Sequence, residues 1–584
     1  MPRSSKVFKK VRKCQASRCS KDNLKTSPII TNGNDTSTKK ASASRRKIDS
    51  CQSLDDCGSD TQATSGFRLI DLKILSDIIS SACVCADCGA KSLRLYDEEN
   101  RIGIVCMLHL TCESCHSDTA FRTSASSNRI YEANMRLIYG MRCLGIGREG
   151  TRLFCGIMNM PQPSARYTTG NKTLLSALQE EVEENLKSSA KEAVKMNSEL
   201  KTEADNTPDT DLCVSCDGTW MKRGHTSLYG VSSVISVDTG KILDVQVMSK
   251  YCYSCVLGKR AGEVEENKWQ VEHKKVCCRN YSGSSGGMEP AAMKLMFHRS
   301  VEKYGVRYTK YLGDGDSSSF KTVLESEPYG PHCAIEKLEC VGHVQKRMGG
   351  RLLKLKRELK GRKLEDGKLL GGPNRLTDKE IHSLQVYYGK AIRDNSGNLN
   401  NMQKAVWSIY FHKLSTDDKP VHNLCDISWC KFKQAERDGM NYSHKHSLPV
   451  AVLSAIKPTF RCLAEPDLLR KCVHGKTENP NESYNSLIWK RCPKTTFVST
   501  IIVEIAAYDA CLVFNNGNLG RIKTLQRLGF HPGAFTYSIL KDIDDKRVAA
   551  ADITANKIEQ QVNQRRQAKK RLLADEEEYA YGLH

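Results

Sequence analysis

Between residues 211 and 250, β-branched and aromatic residues crowd into three runs, DLCVSCDGTW, SLYGVSSVISV and KILDVQVMSK, and the turn DTG joins the last two. Runs of this kind joined by such a turn predict three antiparallel strands. Downstream the apolar period lengthens. A helix is predicted at about 288–304, then a strand in VRYTKYLGD, a helix opening after the N-cap cluster DSSS, and a further strand in AIEKLEC. Antiparallel strands followed by alternating helix and strand predict an α/β fold, a mixed sheet covered by helices.

The chain of 584 residues exceeds what one core organises, so several units are expected. Residues 1–66 read as a disordered basic tail: the first 50 hold 14 Lys/Arg against three Asp, half of the net charge of +22, with few large apolar residues. Runs such as KVFKKVRK and SRRK suit nuclear import or contact with phosphate, so the nucleus is the expected location. A Cys-rich unit follows at 67–125 and a helical region at 126–205, whose charged run from Ser176 to Lys201 reads as a long helix with one solvated face. The first part of the mixed sheet occupies 206–343, a polar helical insertion 344–470, the closing helices 471–540 and a charged tail 541–584.

No N-terminal apolar segment marks export. The longest apolar stretch, 495–514, carries Glu504 and Asp509, so a buried core helix is expected and no membrane span. With 26 cysteines in a chain lacking an export signal, clustered thiols point to zinc rather than to disulfides. Cys85-x2-Cys88 and Cys112-x2-Cys115 flank a hairpin-like sequence, the arrangement of a zinc ribbon, with Cys83, Cys106 and His116 as alternative ligands. Cys252-x2-Cys255 followed by His273-x3-Cys277 suits a second zinc site of three thiolates and one imidazole. A looser group, His422, Cys425, Cys430, His444 and His446, reads as buried thiols and surface histidines.

Acidic residues recur at predicted strand ends. Asp217 ends the first strand of the 211–250 unit, Asp314 and Asp316 end another around a glycine, and Glu482 begins a helix after an Asn/Pro-rich turn. Carboxylates gathered in an apolar setting repel one another unless divalent cations neutralise them, and an all-oxygen site suits Mg²⁺ or Mn²⁺. Two such ions about 4 Å apart can activate a water or a 3′-hydroxyl and stabilise the leaving oxygen of a phosphoryl transfer. A basic face lies nearby. Residues 346–363 hold nine Lys/Arg, among them Lys346, Arg347, Arg351, Lys354 and Arg357, against the single acid Glu358. Leu352, Leu355 and Leu359 form one apolar stripe, so a helix buried on it would turn its charge toward a phosphate backbone. Trp220 and Trp489 lie beside the acids, placed to stack on nucleotides or to pack in the core.

The ordered series CDGTWMKRGHTSLYGV, DTGKILDVQVMSKYCYSC, NYSGSSGGME, YLGDGDSSSF, LECVGHVQKRMGGRL and NPNESYNSLIWKRCPK resembles the Mutator-like transposases over roughly 80–535. The resemblance implies a DDE enzyme with a ribonuclease-H-like core, Asp217 as first acid, Asp314 or Asp316 as second and Glu482 as third. Cys340-x2-His343 matches a CxxH motif of that family, which implies that His343 meets a phosphate or the scissile strand; an ordinary helix-start histidine is the other reading. The implied activity is metal-dependent cleavage and transfer of transposon-end DNA into target DNA, by a homodimer or higher homo-oligomer because two ends must be paired. A transposase-derived DNA-binding protein without catalysis is the alternative, and loss of any acid would have favoured it; all three positions are filled.

Overall fold

The computed structural model describes residues 42–49, 66–127, 130–201, 207–222, 226–258, 273–274, 277–314 and 318–581. Most of the basic tail, and Asp316, lie outside these residues. One part of the tail departs from the expected disorder: Ala43–Asp49 forms a helix, α1. Tertiary contacts hold it, with Lys47 Nζ 3.4 Å from the centroid of the Phe514 ring and Arg45 paired with Asp552 at 2.7 Å.

Helix α2 (Leu72–Ala82) begins where the Asp71 carboxylate accepts the Lys73 N–H. Strands β1 (Leu93–Asp97), β2 (Met107–Cys112) and β3 (Asp118–Arg122) form an antiparallel sheet in that order. A two-residue ladder, β4 (Ser126–Ser127) with β5 (Ile130–Tyr131), leads into α3 (Glu132–Cys143) and α4 (Arg148–Ile157). The long helix α5 (Tyr167–Leu200) does expose one face, but Leu174, Leu178, Val182, Leu186, Ala190 and Ala193 are buried on the other.

The main sheet contains β6 (Asp211–Trp220), β7 (Tyr229–Ser236), β8 (Ile242–Ser249), β9 (Arg307–Gly313) and β10 (Glu336–Glu339). Its order is β10-β9-β6-β7-β8; β6 to β8 form an antiparallel meander, and β9 and β10 run parallel to β6. Between β8 and β9 come α6 (Tyr253–Gly258) and α7 (Met288–Tyr304), and α8 (Ser318–Glu325) links β9 to β10. Val214, Cys216, Val234 and Leu243 pack on one face with Met293, Met296 and Phe297 of α7. Val231, Ile235, Val245 and Val247 join a separate cluster on the other. Burial on both faces explains why the strands read as nearly continuous apolar runs.

The insertion is helical as expected: α9 (Val341–Glu358), α10 (Asp378–Asp394), α11 (Leu399–Leu414), α12 (Lys431–Arg437), α13 (Val450–Leu463) and α14 (Pro466–Arg470). They surround a core of their own, in which Leu352 of the predicted stripe is fully buried and Leu355 and Leu359 pack at the edge. The chain then returns to the sheet through α15 (Asn479–Arg491) and α16 (Thr500–Asn516), followed by α17 (Arg521–Arg527) and α18 (Ala534–Tyr581). Helix α16 is buried along most of its length, and among the described residues no helix is long and apolar enough to cross a membrane.

Candidate active site and metal centres

The parallel pairing of β6 with β9 ends at Ser215 opposite Leu312. Asp217 and Asp314 each lie two residues further on, so the register brings both acids past the same end of two adjacent strands. Pairing of β9 with β10 ends at Gly313 opposite Glu339, and Cys340 follows as the N-cap of α9. Contrary to the sequence reading, Asp217 does not end its strand: β6 continues to Trp220 by pairing with β7, where Asp217 faces Ser233.

Helix α15 closes the site from one side, and its repeat matches that of the strand. Asn481 accepts from Ser215 Oγ at 2.6 Å, Asn485 donates to Asp217 Oδ2 at 2.8 Å, and Trp489 donates to Thr219 Oγ1 at 2.9 Å. Four helical residues rise about 6 Å and two strand residues about 6.6 Å, so a helix lying along β6 meets every second strand residue with every fourth of its own. Glu478, the N-cap of α15, is buried, with one oxygen 3.1 Å from His343 Nδ1 and the other buried without a hydrogen-bond partner among the described residues. His343 Nδ1 also lies 3.5 Å from Asp314 Oδ1. Glu482 sits one turn after Glu478, on the flank toward α9. It is largely exposed, 4.0 Å from Lys346 Nζ.

Two contributors escaped the sequence reading, Glu478 and Glu289. Glu289, in the first turn of α7, accepts from Ser319 Oγ at 2.8 Å. It fills the space over Gly218, where a Cβ would fall 2.7 Å from its Oε2. Glu289 stands in GGMEP and Glu478 in TENPNES, and neither has a local signal beyond an acid near a helix start.

The electrostatics are those of a crowded anionic site. Burial, then Glu289 and Glu478, push the Asp217 carboxyl up to about 7, against the Gly218 N–H and Asn485, which lower it. Burial likewise raises Glu289, opposed by the Ser319 hydrogen bond and reinforced by Glu478 and Asp314. The Glu478 carboxylate beside its Nδ1 raises His343 and favours the imidazolium, with Asp314 adding to it. The donors to Asp217 are neutral and the charged groups that perturb it are carboxylates, a setting that fits a divalent cation.

Helix α9 carries the five basic candidates. Lys346, Arg351, Lys354 and Arg357 are exposed, whereas Arg347 is drawn back to Glu339 at 2.7 Å. Both tryptophans pack at core edges rather than standing free, Trp220 donating to the Ser285 carbonyl at 2.8 Å.

Cys340 joins His343 and Glu478 within reach of one ion, and three further cysteine clusters contain none of these acids. Cys85, Cys88, Cys112 and Cys115 converge, with sulfur pairs at 3.6 and 3.7 Å, near the roughly 3.8 Å edge of a zinc–thiolate tetrahedron. Of the alternatives, His116 is a turn residue at φ 59°, matching Gly89 at φ 72° in the other knuckle, and Cys83 is exposed. Cys252, Cys255, His273 and Cys277 converge likewise, His273 Nε2 lying 3.3 and 3.2 Å from the first two sulfurs. Both clusters can hold a metal such as zinc. The third group differs from its sequence reading. Cys425 and Cys430 are buried and His446 is exposed as expected, but His422 is buried with the two thiols, and His412, unnoticed in the sequence, joins them. The ligands come from a helix end and a loop, so no compact spacing advertised the set.

No curated protein matches the chain. The family model described as Mutator-like transposase matches residues 66–430, from the first Cys-rich unit through Asp217, Asp314, Cys340 and His343 and most of the insertion, stopping short of α15. By this match over more than half of its length, the chain belongs to the Mutator-like transposase family.

Proposed function

We propose that the chain is a DDE-type DNA transposase, binding transposon-end DNA and performing metal-dependent strand cleavage and transfer. The observation that carries this reading is the register that sets Asp217 and Asp314 past the same end of two parallel strands, with Asn485 of α15 bonded to Asp217 and Asp217 perturbed by carboxylates. The order β10-β9-β6-β7-β8, with one antiparallel meander and two parallel strands, supports a ribonuclease-H-like core.

In this reading Asp217, Asp314 and Glu482 hold Mg²⁺ or Mn²⁺, with Asp316 the alternative second acid. The exposure of Glu482 beside the half-buried Asn485–Asp217 contact leaves its carboxylate room to turn toward the other two. The ions, when bound, supply an activated water or 3′-hydroxyl and neutralise the leaving oxygen. Asn485 orients the Asp217 carboxylate. Glu478 favours the imidazolium of His343 beside Asp314, a form that can donate to a phosphate oxygen. Lys346, Arg351, Lys354 and Arg357 line one exposed helix face suited to a DNA backbone. Zinc is structural both at the four-thiolate cluster of Cys85, Cys88, Cys112 and Cys115 and at the cluster of Cys252, Cys255, His273 and Cys277. The working form is a nuclear homodimer or higher oligomer.

The test is cleavage of DNA carrying the element's terminal repeats with Mg²⁺ or Mn²⁺, in the wild type and in Asp217→Ala and Glu482→Ala. Cleavage lost in both variants is expected, and cleavage surviving in both overturns the mechanism. Binding without cleavage by the wild type favours a catalytically silent derivative.

A further inference from the structure

Helices α11 and α13 are joined by residues 415–449, in which α12 is the one helix and no strand forms. A connection of this length with so little regular structure needs another source of order. Four side chains converge at its root: His412 in the last turn of α11, His422 and Cys425 beyond it, and Cys430 at the N-cap of α12. The two Nδ1 atoms of His412 and His422 are 3.2 Å apart. His422 Nδ1 lies 3.6 and 3.4 Å from the sulfurs of Cys425 and Cys430, and His412 Nδ1 lies 3.7 and 3.9 Å from the same pair. A tetrahedron with zinc bonds of about 2.05 Å to nitrogen and about 2.3 Å to sulfur has edges of about 3.3 Å between nitrogens and about 3.6 Å between nitrogen and sulfur.

The outer partners of His422 set its tautomer. Its Nε2 lies 2.9 Å from His444 Nε2, and His444 Nδ1 lies 2.6 Å from Asp417 Oδ1. The Asp417 carboxylate accepts the Nδ1 proton of His444, so His444 Nε2 accepts from His422 Nε2–H. The lone pair of His422 Nδ1 is thereby left facing the thiols, the carboxylate-backed orientation of a metal-ligating imidazole. Phe432 stacks on the His422 ring with centroids 4.2 Å apart, and Trp429 meets the His412 ring edge-on.

We propose that His412, His422, Cys425 and Cys430 bind a zinc ion that fastens the 415–449 connection to α11. Two thiolates and two imidazoles in tetrahedral reach select zinc over hard cations, and four protein ligands make the site structural rather than catalytic.

The test is zinc per purified full-length chain by mass spectrometry, wild type against Cys430→Ala. A loss of one equivalent, with faster tryptic cleavage at Lys431 and Lys433, is expected; a folded Cys430→Ala chain that keeps all its zinc overturns the proposal. Should Cys430→Ala not fold, His412→Cys replaces the site, because a thiolate on this residue reaches about as far as Nδ1. In the Co²⁺-loaded chain it is expected to strengthen the sulfur-to-cobalt charge-transfer absorption by a third thiolate. An unchanged spectrum overturns the proposal.

Discussion

Two aspartates, the buried Asp509 and the half-buried Asp217, have opposite surroundings. Asp509, in α16, meets Arg491 at 2.5 Å and Arg521 at 2.8 Å and accepts from Tyr139 at 2.8 Å. Burial works to raise its carboxyl, yet Arg521 and Arg491 outweigh burial and hold it below the usual range. Asp217 has neutral donors and two carboxylate neighbours, and is pushed up to about 7. One acid has its charge balanced inside the protein by two guanidiniums; the other faces carboxylates and neutral donors, and in the proposed reading a metal ion supplies the balance.

The largest effect expected from breaking this contrast is on the chemistry. Asp217→Asn and Glu482→Gln each remove a charge from the proposed metal site, and each is expected to lower metal-dependent strand cleavage about 10³-fold or more, read in single-turnover assays on end-bearing DNA. Asp509→Asn should fall mainly on stability. It leaves two buried guanidiniums without their anion, at a cost of about 3–5 kcal/mol in urea unfolding. If Asp509→Asn cost no more than a surface substitution, the assignment of Asp509 to the fold would fail.

A subtler difference lies in the pH dependence of stability without added Mg²⁺ or Mn²⁺. A carboxyl whose folded value is about 7 against 3.8 when unfolded binds its proton more tightly in the fold, so stability is highest below the unfolded value and falls as pH rises to about 7. Asp217→Asn should therefore stabilise the chain by an amount near zero at pH 4 and on the order of a few kcal/mol at pH 8. Mn²⁺ should raise the wild-type melting temperature most at the alkaline end. Asp509 follows the opposite sign, its stabilisation being lost as pH falls. A flat Asp217→Asn difference across this range would mean that the site is not an uncompensated anion cluster.

Much of this was legible in the sequence, and unevenly so. The sheet was legible because strands buried on both faces leave long apolar runs, and DTG marked the turn before β8. The helix at 288–304 and the insertion showed in their 3.6-residue period. The placement of Asp217 relative to Asp314 was legible only as strand ends, because register depends on pairing between residues such as Ser215 and Leu312 that lie far apart in the sequence. Glu289 and Glu478 enter the site through the packing of α7 and α15, and His412 joins its cluster across a folded connection. Helix α1 was hidden by a composition typical of disorder, because its order comes from Phe514 and Asp552 far along the chain.

The smallest effect sharpens the comparison within α15 itself, between Glu478 and Glu482. Glu478 is buried against His343, whereas Glu482 stands exposed at the rim. If Glu478 acts through His343, Glu478→Gln removes the main group that raises that imidazole. The imidazolium then loses its proton at lower pH, so the alkaline limb of the cleavage profile moves down, with the rate below the limb preserved. A displaced limb with the plateau intact is a smaller effect than the loss at every pH expected from Glu482→Gln. If Glu478 is instead the third metal-binding acid, Glu478→Gln lowers cleavage at every pH and Glu482→Gln becomes the milder variant. Profiles of the two variants between pH 6 and 9 at saturating Mn²⁺ therefore decide which turn of α15 supplies the acid and which one tunes the histidine.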